Sequence, residues 1–220
     1  MINFRPIDVK TIRQKVYEQL RDLIMTGRIE PGQTLSLRRL AQEFGVSLMP
    51  VREAVWKLES EGVLVVESNK RIHVSSLSIK EMEEALRLRF MLESEAARRS
   101  CERRPESVIP KMEHQLRDMN AAMTNPRRYI QIGNSFHFTL YSFADSPLLL
   151  DLIDKLWARI GPYFYLHVTK SEDLEQTVKY HRDMFAAFKS RDTKKLVEAL
   201  RADLEDPAKH IIAALKKETS

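Results

Sequence analysis

The chain has 220 residues, 43% of them hydrophobic and 30% charged, with a formal charge of +5. Such a length suits one large or two modest domains with ordinary globular cores. The single cysteine, Cys101, excludes an intrachain disulfide and a multi-thiolate metal site, and it reads as a small buried hydrophobe.

The opening MINFRPIDVK lacks the apolar core of a signal peptide, and no run approaches 18 apolar residues, so a cytoplasmic protein without a membrane partner is expected. The mild basicity suits a polyanionic partner. Residues 1–76 hold twelve Lys/Arg against nine Asp/Glu, however, so a nucleic-acid footprint must come from placement and not from bulk charge.

Apolar spacing near 3.6 residues and only six glycines predict a mainly α protein. The first helix is expected over 11–26, with Ile12, Val16, Leu20, Leu23 and Ile24 on one stripe and Gly27 after its last turn. Pro31-Gly32 makes a turn. A short helix over 36–44, capped by Ser36, is broken at Gly45, and a further helix covers 47–60. The stretch VLVVES-NKR-IHVSS then predicts two short strands, 63–67 and 72–75, joined by the basic turn Asn69-Lys70-Arg71. Ser78 and Glu81 stand at capping-box spacing and open a long helix. Domains are accordingly expected at 1–76 and 79–220, the second an all-helical bundle with helices over 79–104, 106–123, 127–144, 147–168, 171–190 and 193–217. Pro207 is expected to kink or split the last of these, and Gly161-Pro162 to disturb the fourth.

Helix, short helix, glycine turn, helix and a two-stranded wing is the order of a winged helix-turn-helix, whose second turn helix enters the major groove. The run LAQEFGVSLMPVREAVWKLESEGVL resembles the signature of the GntR family of transcriptional regulators. The resemblance implies that Arg38, Ser47 and Arg52 approach phosphates or base edges. Arg52 is the candidate guanine reader, because its planar fork matches O6 and N7. Met49 and the wing residues Lys70, Arg71 and His73 complete the candidate DNA-binding set. His73 can equally touch DNA or cap the exposed face of the wing. Leu48 stands where the family places arginine and Arg71 where it places glycine, which points to an altered operator.

The second half resembles the FCD effector domain of the FadR-like branch. The matching residues are Arg89, Leu92 and Glu93 with Ala96-Ala97, then Phe136-His137, His181 and the Arg191-Asp192 turn. The resemblance implies a divalent metal, held by an Asp four residues before the first His and by three histidines, with a basic residue holding a metabolite carboxylate. Here Gly133 replaces that Asp and Asp203 replaces the third histidine. The candidate metal ligands are therefore His137, His181 and Asp203, for zinc, nickel or manganese. Arg89, His137 and His181 are the candidate effector-binding residues, and Arg89 has a salt bridge to Glu93 as its alternative role. The main expectation is a homodimeric regulator, not an enzyme, that binds a pseudo-palindromic DNA operator under control of a small carboxylate effector. A metalloenzyme using the His/His/Asp site and a ligand-free architectural DNA-binding protein are the alternatives.

Overall fold

A computed structural model describes residues 11–69, 71–170 and 174–218 of the chain. Two compact units meet in sequence between Ser75 and Ser76.

In the first unit, helix α1 spans Ile12–Met25, with the Thr11 hydroxyl accepting the Gln14 N–H at 3.2 Å. Its buried stripe of Val16, Leu20 and Ile24 packs against helix α3, Leu48–Ser60, which buries Val51, Ala54, Val55 and Leu58. Between them lie strand β1, Thr34–Leu35, and helix α2, Leu37–Phe44, capped by Ser36. Gly45 ends α2 at φ 65°, a left-handed conformation that only glycine adopts without strain, and this lets the chain turn into α3.

Strands β2, Leu64–Val66, and β3, Ile72–Val74, form the expected antiparallel hairpin with Val65 opposite His73. The sheet has three strands, however, in the order β1-β3-β2. Two residues of β1 are too few for an alternating pattern to register, which is why the sequence suggested a two-stranded wing. Ile72 and Val74 face the core and His73 faces outward, as the two-residue period of a strand requires.

The second unit is all helical. Helix α4, Ile79–Arg103, opens on a full capping box: the Glu81 N–H donates to Ser78 Oγ at 3.2 Å and the Ser78 N–H to Glu81 Oε2 at 2.9 Å. A 3₁₀ turn, Glu106–Val108, leads into α5, Ile109–Ala121. Then follow α6, Pro126–Tyr141, α7, Pro147–Lys170, α8, Leu174–Lys189, and α9, Thr193–Glu218. The start of the helix expected over 171–190 lies outside the described residues.

Neither internal proline breaks its helix: α7 runs through Pro162 and α9 through Pro207. Beyond Pro207, Ala208 and Ile211 are buried, so packing holds the last turns where propensity alone would end the helix. Pro207 also removes the N–H that would bind the Asp203 carbonyl.

Two arginines cap each other's helices. Arg104, at the end of α4, donates to the Phe188 and Lys189 carbonyls of α8 at 2.8 and 2.6 Å. Arg191, just past α8, donates to the Cys101, Glu102 and Arg104 carbonyls at 3.1, 2.8 and 2.8 Å. These bonds to otherwise unpaired C-terminal carbonyls hold Arg191 at φ 57°, a conformation that costs a non-glycine residue roughly 1–2 kcal/mol.

Candidate functional site

Within the first unit, the leading end of α3 is open. Ser47 is its N-cap, yet the Ser47 hydroxyl makes no capping bond. Met49 is 58% exposed in the first turn, and Arg52 follows three residues on, half-buried. The acids nearby are engaged, Glu53 with Arg13 at 3.8 Å and Glu43 with Arg39 at 2.8 Å. Among the described residues, Arg38 and Arg52 make no ion pair, so they are the cations of this surface without a protein counter-charge.

In the wing, the Arg71 guanidinium reaches back to Thr34 Oγ1 at 3.3 and 3.4 Å, while its N–H donates to Asn69 Oδ1 at 2.9 Å. His73 Nδ1 lies 3.4 Å from Glu67 Oε1 across the hairpin, the geometry of a wing cap. Lys70 lies outside the described residues. Trp56, which no sequence motif singles out, is exposed seven residues after Met49 and therefore on the same face of α3.

Within the second unit, α6, α8 and α9 bring His137, His181 and Asp203 together. All three are buried, and one ligand atom from each lies within 4.8 Å of the others. His137 Nε2 is 3.2 Å from Asp203 Oδ2, and His181 Nδ1 is 3.5 Å from Asp203 Oδ1. Gly133 stands one turn before His137 on the same face of α6. A Cβ built there would lie 3.9 Å from His181 Nε2, so the space in front of that nitrogen is closed by no side chain from position 133.

The hydrogen bonds fix the tautomers. His181 Nδ1 donates to the Thr177 carbonyl at 2.8 Å, which leaves Nε2 with its lone pair. The Tyr141 hydroxyl donates to Glu93 Oε2 at 2.7 Å, so its oxygen accepts from His137 Nδ1 at 3.0 Å. A neutral His137 would then turn its Nε2 lone pair on the Asp203 carboxylate, two acceptors face to face. Only a proton or a metal cation at that position satisfies both. Asp203 Oδ1 is buried without a hydrogen-bond partner, and a cation would satisfy it. The donor set of two imidazoles and one carboxylate thus fits a divalent transition metal.

Electrostatics agree. Burial pushes the His181 pKa below its ordinary value, with His137 adding to the effect and Asp203 opposing it, so the ring is held neutral, the form that ligates. Burial raises the Asp203 carboxyl, but the neighbouring His181 and His137 rings and the Arg89 guanidinium outweigh it and hold Asp203 below the usual carboxylate value.

Glu93 joins this cluster to α4. Arg89 and Glu93 are 3% and 0% exposed and paired on adjacent turns, with Arg89 Nη2 3.3 Å from Glu93 Oε2. The Trp157 indole N–H of α7 also donates to Glu93, at 2.8 Å, and the Arg89 guanidinium lies 4.2 Å over the Trp157 ring. Burial, with Glu93 next, pushes the Tyr141 hydroxyl well above its ordinary pKa, so it stays a donor. The sequence pointed to the Arg89–Glu93 pair, but not to Tyr141 and Trp157 as its partners. A residue 48 or 64 positions away leaves no periodic signal.

The fold and sites together define a DNA-binding transcriptional regulator, a winged helix-turn-helix joined to a helical sensing domain. The chain belongs to the GntR family of bacterial regulatory proteins: residues 12–74 match that family and residues 84–206 match the FCD domain. It is 26% identical to the HTH-type transcriptional regulator YdhC of Bacillus subtilis (strain 168) over 91% of each chain. It is 27% identical to the HTH-type transcriptional repressor RspR of Escherichia coli (strain K12), over 89% of this chain and 86% of the repressor. The solved structure of E. coli McbR/YncC has the same fold, with a TM-score of 0.84 at 23% identity over 96% of this chain and all of that one.

Proposed function

We propose that His137, His181 and Asp203 hold one divalent transition metal, and that a small carboxylate effector bound there controls operator binding. The buried Asp203 Oδ1, which accepts no hydrogen bond and lies beside two imidazoles, carries this reading. When bound, the ion supplies open coordination positions for a carboxylate oxygen. Arg89 adds positive charge to the same region through the Glu93–Tyr141–His137 chain, and an effector carboxylate that reaches Arg89 competes with Glu93 for it. Arg89 and Glu93 sit on α4, the helix that begins directly after the junction with the DNA-binding unit. A change at the sensing site therefore acts on the element that follows that junction.

The reading is regulatory and not catalytic, in keeping with relatives that are transcriptional regulators. No helix among the described residues is long and apolar enough to cross a membrane, which fits a cytoplasmic regulator.

Metal analysis of the purified full-length chain tests the site, followed by titration of zinc, nickel or manganese with a panel of small mono-, di- and tricarboxylates. The DNA probe is a site selected from random sequence. One equivalent of metal that disappears in His181→Ala, and a carboxylate that changes DNA affinity only when metal is present, are the expected results. A chain that retains no metal and whose DNA affinity responds to neither addition would instead be a ligand-free architectural protein. Turnover of a carboxylate would return the enzyme alternative.

At the DNA, Arg38, Ser47, Met49 and Arg52 on the helix-turn-helix and Lys70, Arg71 and His73 on the wing form the proposed contact set. Arg52→Ala is expected to weaken operator binding by roughly 1–3 kcal/mol and to relax base preference at one position. Fluorescence anisotropy at fixed salt reads both, and an unchanged affinity removes Arg52 from the set.

We also propose a homodimer, since a two-fold protein matches a two-fold operator. The helical unit leaves large apolar side chains exposed on two helices for it: Leu88 and Met91 on α4 and Leu148 and Leu152 on α7, with Met91 61% and Leu148 70% exposed. These two helices pack against each other. A charge placed in such a seam forfeits about 1.5–3 kcal/mol of apolar burial per side chain, before desolvation. Met91→Glu with Leu148→Glu is therefore expected to weaken dimerisation at least tenfold in sedimentation velocity. A dimer unaffected by both changes would place the seam elsewhere.

A further inference from the structure

Met49 differs in chemistry from the positively charged and hydrogen-bonding residues of the candidate DNA-binding surface. It sits in the first turn of α3, the part of a second turn helix that reaches the base edges. Its neighbours there are suited to phosphate: the Ser47 hydroxyl without a capping bond and the unpaired N–H groups of the helix start. Met49 itself is a large side chain, 58% exposed, with no strong donor or acceptor to offer a phosphate or a base edge. Leu48 beside it is half-buried and Pro50 lacks an N–H, so Met49 is the apolar group that this end of the helix presents outward.

The major-groove floor carries a single apolar group, the C5-methyl of thymine. We infer that Met49 reads a thymine methyl in the operator. The inference rests on the DNA-binding regulator reading and gives it a base preference. Arg52 is three residues on, so the two side chains neighbour each other on one helix face. Their axial separation of about 4.5 Å compares with about 3.4 Å per base pair. The thymine thus lies at the base pair next to the one that Arg52 contacts, or one further. Glu53, one turn on, is paired with Arg13 at 3.8 Å.

The test uses the full-length chain and a DNA site selected from a random-sequence library. Each thymine of the selected half-site is replaced in turn by uracil, which removes only the methyl group, and binding is compared for wild type and Met49→Ala. Burial of one methyl predicts about fourfold weaker wild-type binding at one position per half-site. In Met49→Ala that difference falls to none, while the guanine preference assigned to Arg52 remains. Wild-type binding that is indifferent to uracil at every position overturns the inference with the regulator reading intact. So does thymine-over-uracil discrimination that survives in Met49→Ala, because the methyl is then read by another residue. A library from which no sequence is enriched overturns both the inference and the sequence-specific regulator reading beneath it. The uracil series in wild type requires no variant to fold, and Met49 is exposed, so its truncation removes no core contact.

Discussion

Glu93→Ala is expected to destabilise the helical unit by roughly 3–5 kcal/mol, the cost of removing one partner of a buried ion pair. That is a large share of the 5–15 kcal/mol by which an ordinary domain is stable. The magnitude follows from what is left behind. Arg89 is 3% exposed and would keep its charge without a counter-ion. The Trp157 N–H loses its acceptor, and the Tyr141 hydroxyl retains only His137. Glu93→Gln keeps the shape and one carbonyl oxygen, so it is expected to lose less than the alanine variant but more than a surface change.

Urea unfolding followed by circular dichroism measures the loss. Because the two units can unfold separately, the fluorescence of Trp157, which touches Glu93, should be followed beside the helical signal in a Trp56→Phe background. A loss below about 1 kcal/mol would mean that Arg89 finds another anion or relaxes to water, and that the pair is not what fixes α4 against α6 and α7.

Local chemistry made much of the fold legible. Ser78 and Glu81 at capping-box spacing start α4, Gly45 makes the left-handed turn, and Ser36 caps α2, each through bonds that span a few residues. The run around Gly45 and Arg52 carried the family resemblance for the same reason, since the turn packs against itself. What escaped was set by distance or by packing. Strand β1 is defined only by its pairing with β3, nearly 40 residues on. Pro207 reads as a helix breaker, yet the burial of Ala208 and Ile211 carries α9 past it. In the candidate site, His137, His181 and Asp203 were identifiable as residue types at family positions. That Tyr141 orients His137, and that Glu93 joins polar groups of three helices, α4, α6 and α7, is a product of the tertiary arrangement.

Asp203→Asn is expected to abolish tight metal retention, with an affinity loss beyond the 10–100-fold typical of losing an outer-shell partner. The carboxylate is the single anionic ligand of the set, and an amide oxygen does not neutralise a divalent ion. Isothermal titration with zinc reads the change, and retention of wild-type affinity would mean that the two histidines bind metal without Asp203.

The metal-free protein gives an independent reading through pH. His181 is held below its ordinary value of 6.5 by burial. Its neutral form is therefore favoured by folding, and stability falls as pH drops from near 6.5 toward the folded value, where only the unfolded chain takes up the proton. Asp203 is held below its ordinary 3.8. Its contribution is complete above that value and is lost as pH falls through the lower, folded one. Wild type should thus lose stability in two acid windows.

Asp203→Asn removes the Asp203 share of the second window, while the lowered carboxyls of Glu81, Glu106 and Asp192 keep theirs. It also deepens the first, because the Asp203 charge is what partly supports a proton on His181. Melting temperatures taken from pH 8 to pH 3, with an NMR titration of the His181 ring, separate these effects. If the variant leaves the His181 titration where it was, Asp203 and His181 are not electrostatically coupled. The short His137–Asp203 contact would then be the only contribution of Asp203 to the site.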